Sequence, residues 1–325
     1  MAYSAEILAR ATARLAQARQ EQQDSYEAHL REAYERFPRI QEIDRELRAT
    51  VAQAAAAAFR KGQDPAAAIA TLRDRSLALQ QEREWILEAS DLDPDFLDDS
   101  PICARCGGSG YIGSQMCDCL RELCRAEQKK ELSSLIGSGK ERFSAFRLDL
   151  YPVRPDASGI SPRELMADTL ERCRQYASTF SVRSPSLLFT GNPGLGKTFL
   201  SACIARAVAE KGFSVVYDTV VQVLGDYEAV KFGSGESRDS LRKYTECDLL
   251  ILDDLGTEML TQFSVSALYT VLNTRIVAGL PTVVSTNLSP NGIRERYSPQ
   301  ITSRLLGVFE LISFLGDDIR LRGKL

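Results

Sequence analysis

The stretch SLLFTGNPGLGKTFLSACIARAVAE, residues 186–210, constrains the fold more than any other part of this chain. The apolar run from Ser186 to Thr190 predicts a strand, and the alanine-rich segment at the end predicts a helix. Between them stands Gly-x4-Gly-Lys-Thr, the pattern of a P-loop, whose backbone N–H groups wrap phosphates at a helix N-terminus. We expect Lys197 to reach the β- and γ-phosphates and the Thr198 hydroxyl to ligate Mg²⁺. The predicted nucleotide-binding residues are Gly191, Asn192, Pro193, Gly194, Leu195, Gly196, Lys197 and Thr198.

A P-loop also needs a carboxylate site, and the stretch CDLLILDDLG supplies one. The apolar run from Leu249 to Leu252 predicts a buried strand of a parallel sheet. Asp253 and Asp254 would then lie at the carboxyl end of that strand, beside the phosphates. We expect Asp253 to hold Mg²⁺ through water and Asp254 to polarise the attacking water. Glutamate fills this second role more often, so the shorter side chain of Asp254 predicts slow hydrolysis.

Three further polar side chains complete a predicted ATPase site. Asn287 ends the apolar run PTVVSTN, where it could sense the γ-phosphate or the attacking water. Arg304 lies on a predicted short helix in ERYSPQITSRLLG, and Arg320 follows in GDDIRLRGKL. An isolated arginine is usually a solvated surface charge, but negative charge on the γ-phosphate in the transition state needs cations. We therefore predict that both arginines act in catalysis.

Four of the eight cysteines stand in CARCGGSGYIGSQMCDC, residues 103–119. A C-x2-C pair followed by a C-x-C pair suits a closed zinc site, which needs four sulfurs about 2.3 Å from the ion. Such a site is structural, because no coordination position stays open; the alternative is a group of ordinary buried cysteines. The predicted ligands are Cys103, Cys106, Cys117 and Cys119. The others are expected to be a bystander or small core residues: Cys124, Cys173, Cys203 and Cys247.

The first 98 residues carry helix signals and no strand signals. A long helix is predicted to end near Pro38, and two antiparallel helices follow, separated by Gly62 and Pro65. Their apolar stripes recur at three-, four- or seven-residue steps: Ile40, Ile43, Leu47 and Val51, then Leu72, Leu79 and Ile86. Three such helices bury little apolar surface alone, which favours a partner-binding arm over a purely structural bundle.

Composition excludes several other classes of protein. The net charge of −4 gives no general nucleic-acid signal, so any DNA contact must come from a local patch. No apolar run approaches the ~18 residues of a membrane span. The N-terminal residues also lack the apolar core and cleavage site of a secretory signal. We therefore expect a cytoplasmic protein with no membrane partner, whose thiols stay reduced.

Five stretches together resemble the DnaC/DnaI group of AAA+ ATPases, the bacterial helicase loaders: LLFTGNPGLGKTFL, DLLILDDLG, VVSTNLS, YSPQITSRLLG and GDDIR. Upstream, ERFSAFRLDLYP resembles the segment that leads into that domain. The stretch DLDPDFLDDSPICARCGGSGYIGSQMCDCL resembles the zinc-bearing linker of loader-like proteins from Gram-positive bacteria. The resemblance covers most of the chain from about residue 40, and residues 1–38 match nothing in the group.

The resemblance implies an α/β fold, an AAA+ P-loop ATPase with a five-stranded parallel sheet. An all-α region and a small four-cysteine zinc knuckle would precede it. The implied domains are a helical helicase-binding arm (1–98), a zinc-binding linker (99–130) and the ATPase domain (140–325). Lys197, Thr198, Asp253 and Asp254 would bind and hydrolyse MgATP. Asn287 would be the first sensor, Arg320 the second, and Arg304 an arginine finger that acts on ATP held by a neighbouring subunit of an oligomer.

In this group, segments of the central channel also touch single-stranded DNA. The matching positions here are Lys231 and Phe232 in VKFG, and Thr261 and Phe263 in GTEMLTQF. A cation pairs with phosphate and an aromatic ring stacks on a base, which is what a strand-tracking surface needs. Phe263 is open to a second interpretation as a core residue.

The resemblance predicts an ATP-dependent loader that delivers a hexameric, DnaB-type replicative helicase to single-stranded DNA. The close alternative is a transposition helper ATPase of the IstB kind, which shares this ATPase domain. A third class is a nucleotide-gated adaptor, whose partner binding would survive loss of Asp254. The zinc linker favours the loader, because it is not expected in a transposition helper.

Overall fold

The structure, a computed structural model, describes residues 3–58, 65–93, 95–135, 141–155, 159–233 and 238–322. The chain forms two units, one of Arg14–Cys117 and one of Met1–Ala13 together with Asp118–Leu325. The second contains the residues of the predicted ATPase site, and we call it the ATPase unit. Among the helices that the structure describes, none combines the length and the apolar character that a membrane span requires.

The N-terminal region is helical, as predicted. It contains α1 (Ala5–Arg36), α2 (Pro38–Ala58) and α3 (Pro65–Glu88). Proline is favoured in the first turn of a helix, where its missing N–H is not needed, and α2 and α3 both begin with one. Ile40, Ile43 and Leu79 of the predicted stripes are buried. Gly62 and the side chain of Val51 lie outside the described residues.

A short antiparallel hairpin of β1 (Tyr111–Ile112) and β2 (Gln115–Met116) follows, and then α4 (Asp118–Leu135). Helix α4 packs within the ATPase unit. The Gln128 side chain donates to Phe213 O (2.8 Å) and accepts from Val215 N (2.9 Å), and Leu132 joins the core.

The rest of the ATPase unit alternates strands and helices. Two 3₁₀ turns, Phe143–Ala145 and Leu148–Leu150, come before its first helix, and a third, Arg238–Leu241, comes just before the short helix Arg242–Glu246. In chain order its elements are α5 (Pro162–Thr179), β3 (Leu187–Thr190), α6 (Lys197–Glu210), β4 (Val215–Thr219), α7 (Val220–Phe232), α8 (Arg242–Glu246), β5 (Leu249–Leu255), α9 (Gln262–Ala278), β6 (Thr282–Thr286), α10 (Pro290–Arg296), α11 (Pro299–Gly307), β7 (Glu310–Ser313) and α12 (Ile319–Arg322).

These strands form a five-stranded parallel sheet in the order β4-β5-β6-β3-β7. The predicted fold class is confirmed. Strand β3 is buried along its whole length, because two apolar clusters pack against the sheet. Thr190 pairs with Thr286 in register, so the P-loop leaves β3 beside the carboxyl end of β6. The carboxyl edge of the sheet therefore gathers the residues of the site.

Strand β5 is longer than the predicted run of Leu249–Leu252. It continues through both aspartates to Leu255, and its register with β6 shifts between Leu252 and Leu255. Asp254 has φ +56° at this irregularity, the one non-glycine with positive φ among the described residues. Such a β-bulge re-aims a side chain without ending the strand. Asp254 is thus turned within β5.

Candidate nucleotide site and its surroundings

The P-loop approaches the segment after β7 so closely that its glycines have no room for side chains. A Cβ on Gly191 would lie 2.5 Å from Phe314 O, and one on Gly194 would overlap the Asp318 carboxylate. Gly196 caps α6 with φ +86°, a left-handed conformation that glycine adopts without strain. Ile319 N donates to Gly194 O (3.1 Å), which ties the chain next to Arg320 to the loop.

Lys197 is buried at the start of α6. Its Nζ donates to Gly191 O, Asn192 O and Asn287 Oδ1, each at 2.7 Å. Burial lowers the pKa of Lys197 to about 8, with Asp254 and Asp253 opposing the shift. An ammonium has three donors, and here neutral oxygens take all of them. Phosphate oxygens can replace these partners and stabilise the charge, so this lysine fits a bound polyphosphate.

A cavity of about 360 Å³ opens in front of this lysine. It brings together predicted residues from separate parts of the chain, namely the P-loop, Asp254, Asn287 and Arg320. Four lining residues were missed: Glu141, Phe199, Thr257 and Ile319. Phe199 and Ile319 are direct neighbours of predicted residues, so sequence proximity alone could have identified them.

The two aspartates lie in different surroundings. Asp253 is 3% exposed, and its Oδ2 accepts a 2.7 Å hydrogen bond from the Tyr217 hydroxyl. Its Oδ1 accepts from the Ser285 hydroxyl. Asp254 lines the cavity, and burial together with the charge of Asp253 raises its pKa. The donor set of Thr198, Asp253 and water suits Mg²⁺, which prefers oxygen ligands and keeps several waters.

The two predicted catalytic arginines are in different places. Arg320 is exposed and lines the cavity. Arg304 does not line it: its Nε and one Nη donate to Asn273 Oδ1 (3.1 and 2.9 Å). The same Nη donates to the Tyr269 hydroxyl (3.2 Å), and the guanidinium lies 5.1 Å from that ring's centroid. The Arg304 side chain, on α11, is therefore held against α9 and lies outside its own chain's cavity.

The four predicted zinc ligands come together. Their sulfurs all lie within 4.8 Å of one another, and the Cys103 and Cys117 sulfurs are 3.8 Å apart. Four sulfurs in a tetrahedron at the usual Zn–S distance stand about 3.8 Å apart, so the group fits the ion. Gly110 N donates to Cys106 Sγ (3.3 Å), which fixes the position of this sulfur in the turn. The four remaining cysteines are buried outside this group.

Two segments predicted to contact DNA also meet. Lys231 Nζ lies 5.2 Å from the ring centroid of Phe232 and 4.7 Å from that of Phe263, and the two rings are 5.6 Å apart. Phe232 is 67% exposed, whereas Phe263 is half-buried against the core. We call Lys231, Phe232 and Phe263 the aromatic patch.

Thr261, the fourth residue predicted to contact DNA, has a structural task. It caps α9: its hydroxyl accepts from Ser264 N (3.0 Å), and Ser264 Oγ accepts from Thr261 N (2.7 Å). Met259 and Leu260, just before it, are exposed apolar residues and were not among those predicted to contact DNA.

A buried glutamate fixes the loop between Asp254 and Thr261. Glu258 Oε2 accepts from Gly256 N (2.8 Å), and Oε1 accepts from the Tyr297 hydroxyl. The loop that follows the carboxylate site is therefore anchored to Tyr297, the residue after α10, before it reaches the aromatic patch.

Fold and site together define a P-loop nucleotide-binding domain built on a five-stranded parallel sheet. Residues 170–323, just under half of the chain, match the family of IstB-like ATP binding proteins. The resemblance to DnaC-like AAA+ ATPases predicted from the motifs is confirmed.

Individual relatives are distant. The replicative helicase loader DnaC of Escherichia coli (strain K12) is 26% identical over 157 residues, 48% of this chain and 64% of that protein. The chain thus spans less than two thirds of that relative. The DnaC of Buchnera aphidicola subsp. Schizaphis graminum is 21% identical over 239 residues, 72% of this chain and 92% of its own. A crystal structure of the DnaC helicase loader covers 57% of this chain and 99% of its own, with 19% identity and a TM-score of 0.45.

Proposed function

We propose that this protein is an ATP-dependent loader that places a hexameric, DnaB-type replicative helicase on single-stranded DNA. The observation that carries the proposal is the likeness to proteins named replicative helicase loaders. The aromatic patch of the ATPase unit and the four-cysteine cluster support it. Residues 1–98 would bind the helicase, 99–130 would hold zinc, and 140–325 would use ATP. Trp85 and Leu77 of α3 are exposed and offer apolar contacts to a partner.

In the proposed reaction, Lys197 binds the β- and γ-phosphates and the P-loop N–H groups orient them. Thr198 and Asp253 would hold Mg²⁺, which neutralises charge on the phosphates when bound. Asp254 orients the attacking water and accepts its proton. Asn287 and Arg320 contact the γ-phosphate, and Arg304 reaches the site of a neighbouring subunit.

Co-purification with the replicative helicase of the same genome tests the loader proposal. The full chain is compared, in the presence of ATP, with a fragment that begins at Asp118. This fragment keeps α4, whose Leu132 and Gln128 belong to the ATPase unit. We expect the full chain to bind and the fragment to bind only nucleotide, which serves as its folding control. Absence of helicase binding by the full chain would contradict the proposal.

The alternative is a transposition helper ATPase of the IstB kind, a candidate because residues 170–323 match the family of IstB-like ATP binding proteins. It predicts that neither the full chain nor the fragment binds the helicase, and that the full chain binds a transposase in the presence of ATP. Testing the full chain and the fragment for binding to the helicase and to the transposase therefore distinguishes the two functions.

The aromatic patch predicts a specific loss of DNA binding. Phe232→Ala should weaken binding of single-stranded DNA by about 1–3 kcal/mol, because one stacked base is lost. Fluorescence anisotropy with a labelled oligonucleotide measures the effect. Val277→Ala, which removes another exposed apolar side chain of the ATPase unit, is the control and should bind normally. Equal affinities of the two variants would contradict the assignment.

The cysteine cluster predicts bound zinc. Purified protein should carry one zinc ion per chain, and Cys117→Ser should lose it, because a closed site with three thiolates binds more weakly. Metal analysis of the dialysed protein measures this. Cys124→Ala, which changes the nearby bystander, should keep its zinc. Zinc retained by the Cys117 variant, or lost from the Cys124 variant, would show that the ligand set is wrong.

A further inference from the structure

The carboxylate expected to hold Mg²⁺ is itself held from both neighbouring strands. Tyr217 lies on β4 and Ser285 on β6, the two strands that flank β5. Tyr217 donates to one Asp253 oxygen at 2.7 Å, and Ser285 donates to the other. All three residues are buried: Tyr217 is 6% exposed, Ser285 0% and Asp253 3%. The Asp253 carboxylate therefore has a fixed rotation before any ligand arrives.

Ser285 makes a second contact that reaches the other aspartate. Its Oγ accepts a hydrogen bond from Asp254 N (3.1 Å) while donating to Asp253. Asp254 is the residue with φ +56° at the bulge of β5. Because a residue in this region depends on its surroundings to keep its conformation, the Ser285 hydroxyl supports the turn that aims Asp254 into the cavity.

We propose that Tyr217 and Ser285 are positioning residues for the ATPase site: both fix Asp253 for Mg²⁺, and Ser285 also sets the direction of Asp254. The proposal rests on the proposed ATPase function. Each hydroxyl occupies one acceptor position of an Asp253 oxygen and leaves the others for the waters around Mg²⁺. Such partners of a metal-binding carboxylate orient it, and their loss typically weakens metal affinity about 10–100-fold.

The two residues should differ in one measurable way. Tyr217→Phe should raise the Mg²⁺ concentration that half-saturates the site about tenfold, with kcat at saturating Mg²⁺ nearly unchanged. Ser285→Ala should raise the same concentration and also lower kcat, because Asp254 loses its support. Ser285→Thr, which keeps a hydroxyl, should restore both.

The experiment uses the full chain and the fluorescent analogue mant-AMPPNP, titrated with and without Mg²⁺, followed by the Mg²⁺ dependence of ATP hydrolysis. In the Tyr217 and Ser285 variants, we expect the affinity for mant-AMPPNP without Mg²⁺ to stay unchanged. The increase in that affinity on adding Mg²⁺ should become smaller. Tyr176→Phe and Ser214→Ala are the matched controls. Tyr176 donates to Pro185 O, and Ser214 donates to Asp248, both in the same unit and outside the nucleotide cavity.

An unchanged gain from Mg²⁺ in Tyr217→Phe, with only a lower unfolding temperature, would overturn the proposal and leave Tyr217 a purely structural residue. If Ser285→Ala does not fold, the Tyr217 variant decides alone. If the unaltered chain binds Mg²⁺-nucleotide without hydrolysing it, the proposed ATPase function fails, and the binding titration still tests the positioning of Asp253.

Discussion

Replacing Lys197 with alanine is expected to lower ATP hydrolysis by about 10²–10³-fold, since a preorganised cation at the phosphates is lost from a buried site. Nucleotide binding should weaken as well. The stability of the nucleotide-free protein should change little. Burial disfavours the lysine's charge, as its lowered pKa indicates, so removing that charge offsets the three hydrogen bonds that are lost.

This combination of effects can be measured by thermal unfolding with and without MgATP, together with steady-state hydrolysis. The unaltered protein should show a ligand-dependent rise in unfolding temperature, and the Lys197 variant should show almost none. Lys211→Ala, at the opposite end of α6, is the control and should behave like the unaltered protein. A Lys197 variant that keeps the full ligand-dependent rise would place the phosphates elsewhere.

Local signals explain why the nucleotide loop could be predicted from sequence. Strand, glycine loop and helix are contiguous, and each has its own pattern, so the P-loop needs no distant contact to be recognised. The bulge at Asp254 is different. Its backbone conformation depends on Ser285, which lies 31 residues away on another strand. No local pattern in CDLLILDDLG predicts the bulge.

Two further features were not predicted, one because of distant contacts and the other because of an unusual local pattern. Residues 99–130 were predicted to form the zinc-binding linker, but α4 begins within that range, and the bonds of Gln128 to Phe213 and Val215 attach this helix to the ATPase unit. The capping task of Thr261 was missed because serine, not the usual glutamate or glutamine, stands at the fourth position of its capping box.

The aromatic patch lies between these cases. The resemblance identified Lys231, Phe232 and Phe263 as candidate DNA contacts. Because about 30 residues separate Phe232 from Phe263, the sequence did not show that their side chains meet. The fold brings them together, because α7 ends at Phe232 and α9 begins one residue before Phe263. The ammonium then lies near two rings at once.

Replacing Arg304 with alanine is expected to lower hydrolysis in the assembled state by about 10³–10⁵-fold, the contribution of an arginine finger to phosphoryl transfer. Nucleotide affinity of the single chain should stay unchanged, because Arg304 lies outside its own cavity and contacts Asn273 and Tyr269 instead. Hydrolysis is measured with helicase and single-stranded DNA present. Arg294→Ala, which removes an exposed arginine of α10, is the control.

Mixing two inactive variants tests whether the arginine acts between subunits. Arg304→Ala keeps its own Asp254, and Asp254→Asn keeps its own Arg304, so a head-to-tail interface between the two restores one complete site. Random assembly at a 1:1 ratio should create such sites at about a quarter of the interfaces. Recovery to that level would establish action in trans. A mixture as inactive as its components would contradict it, because a finger that worked within one chain could never be supplied by a neighbour.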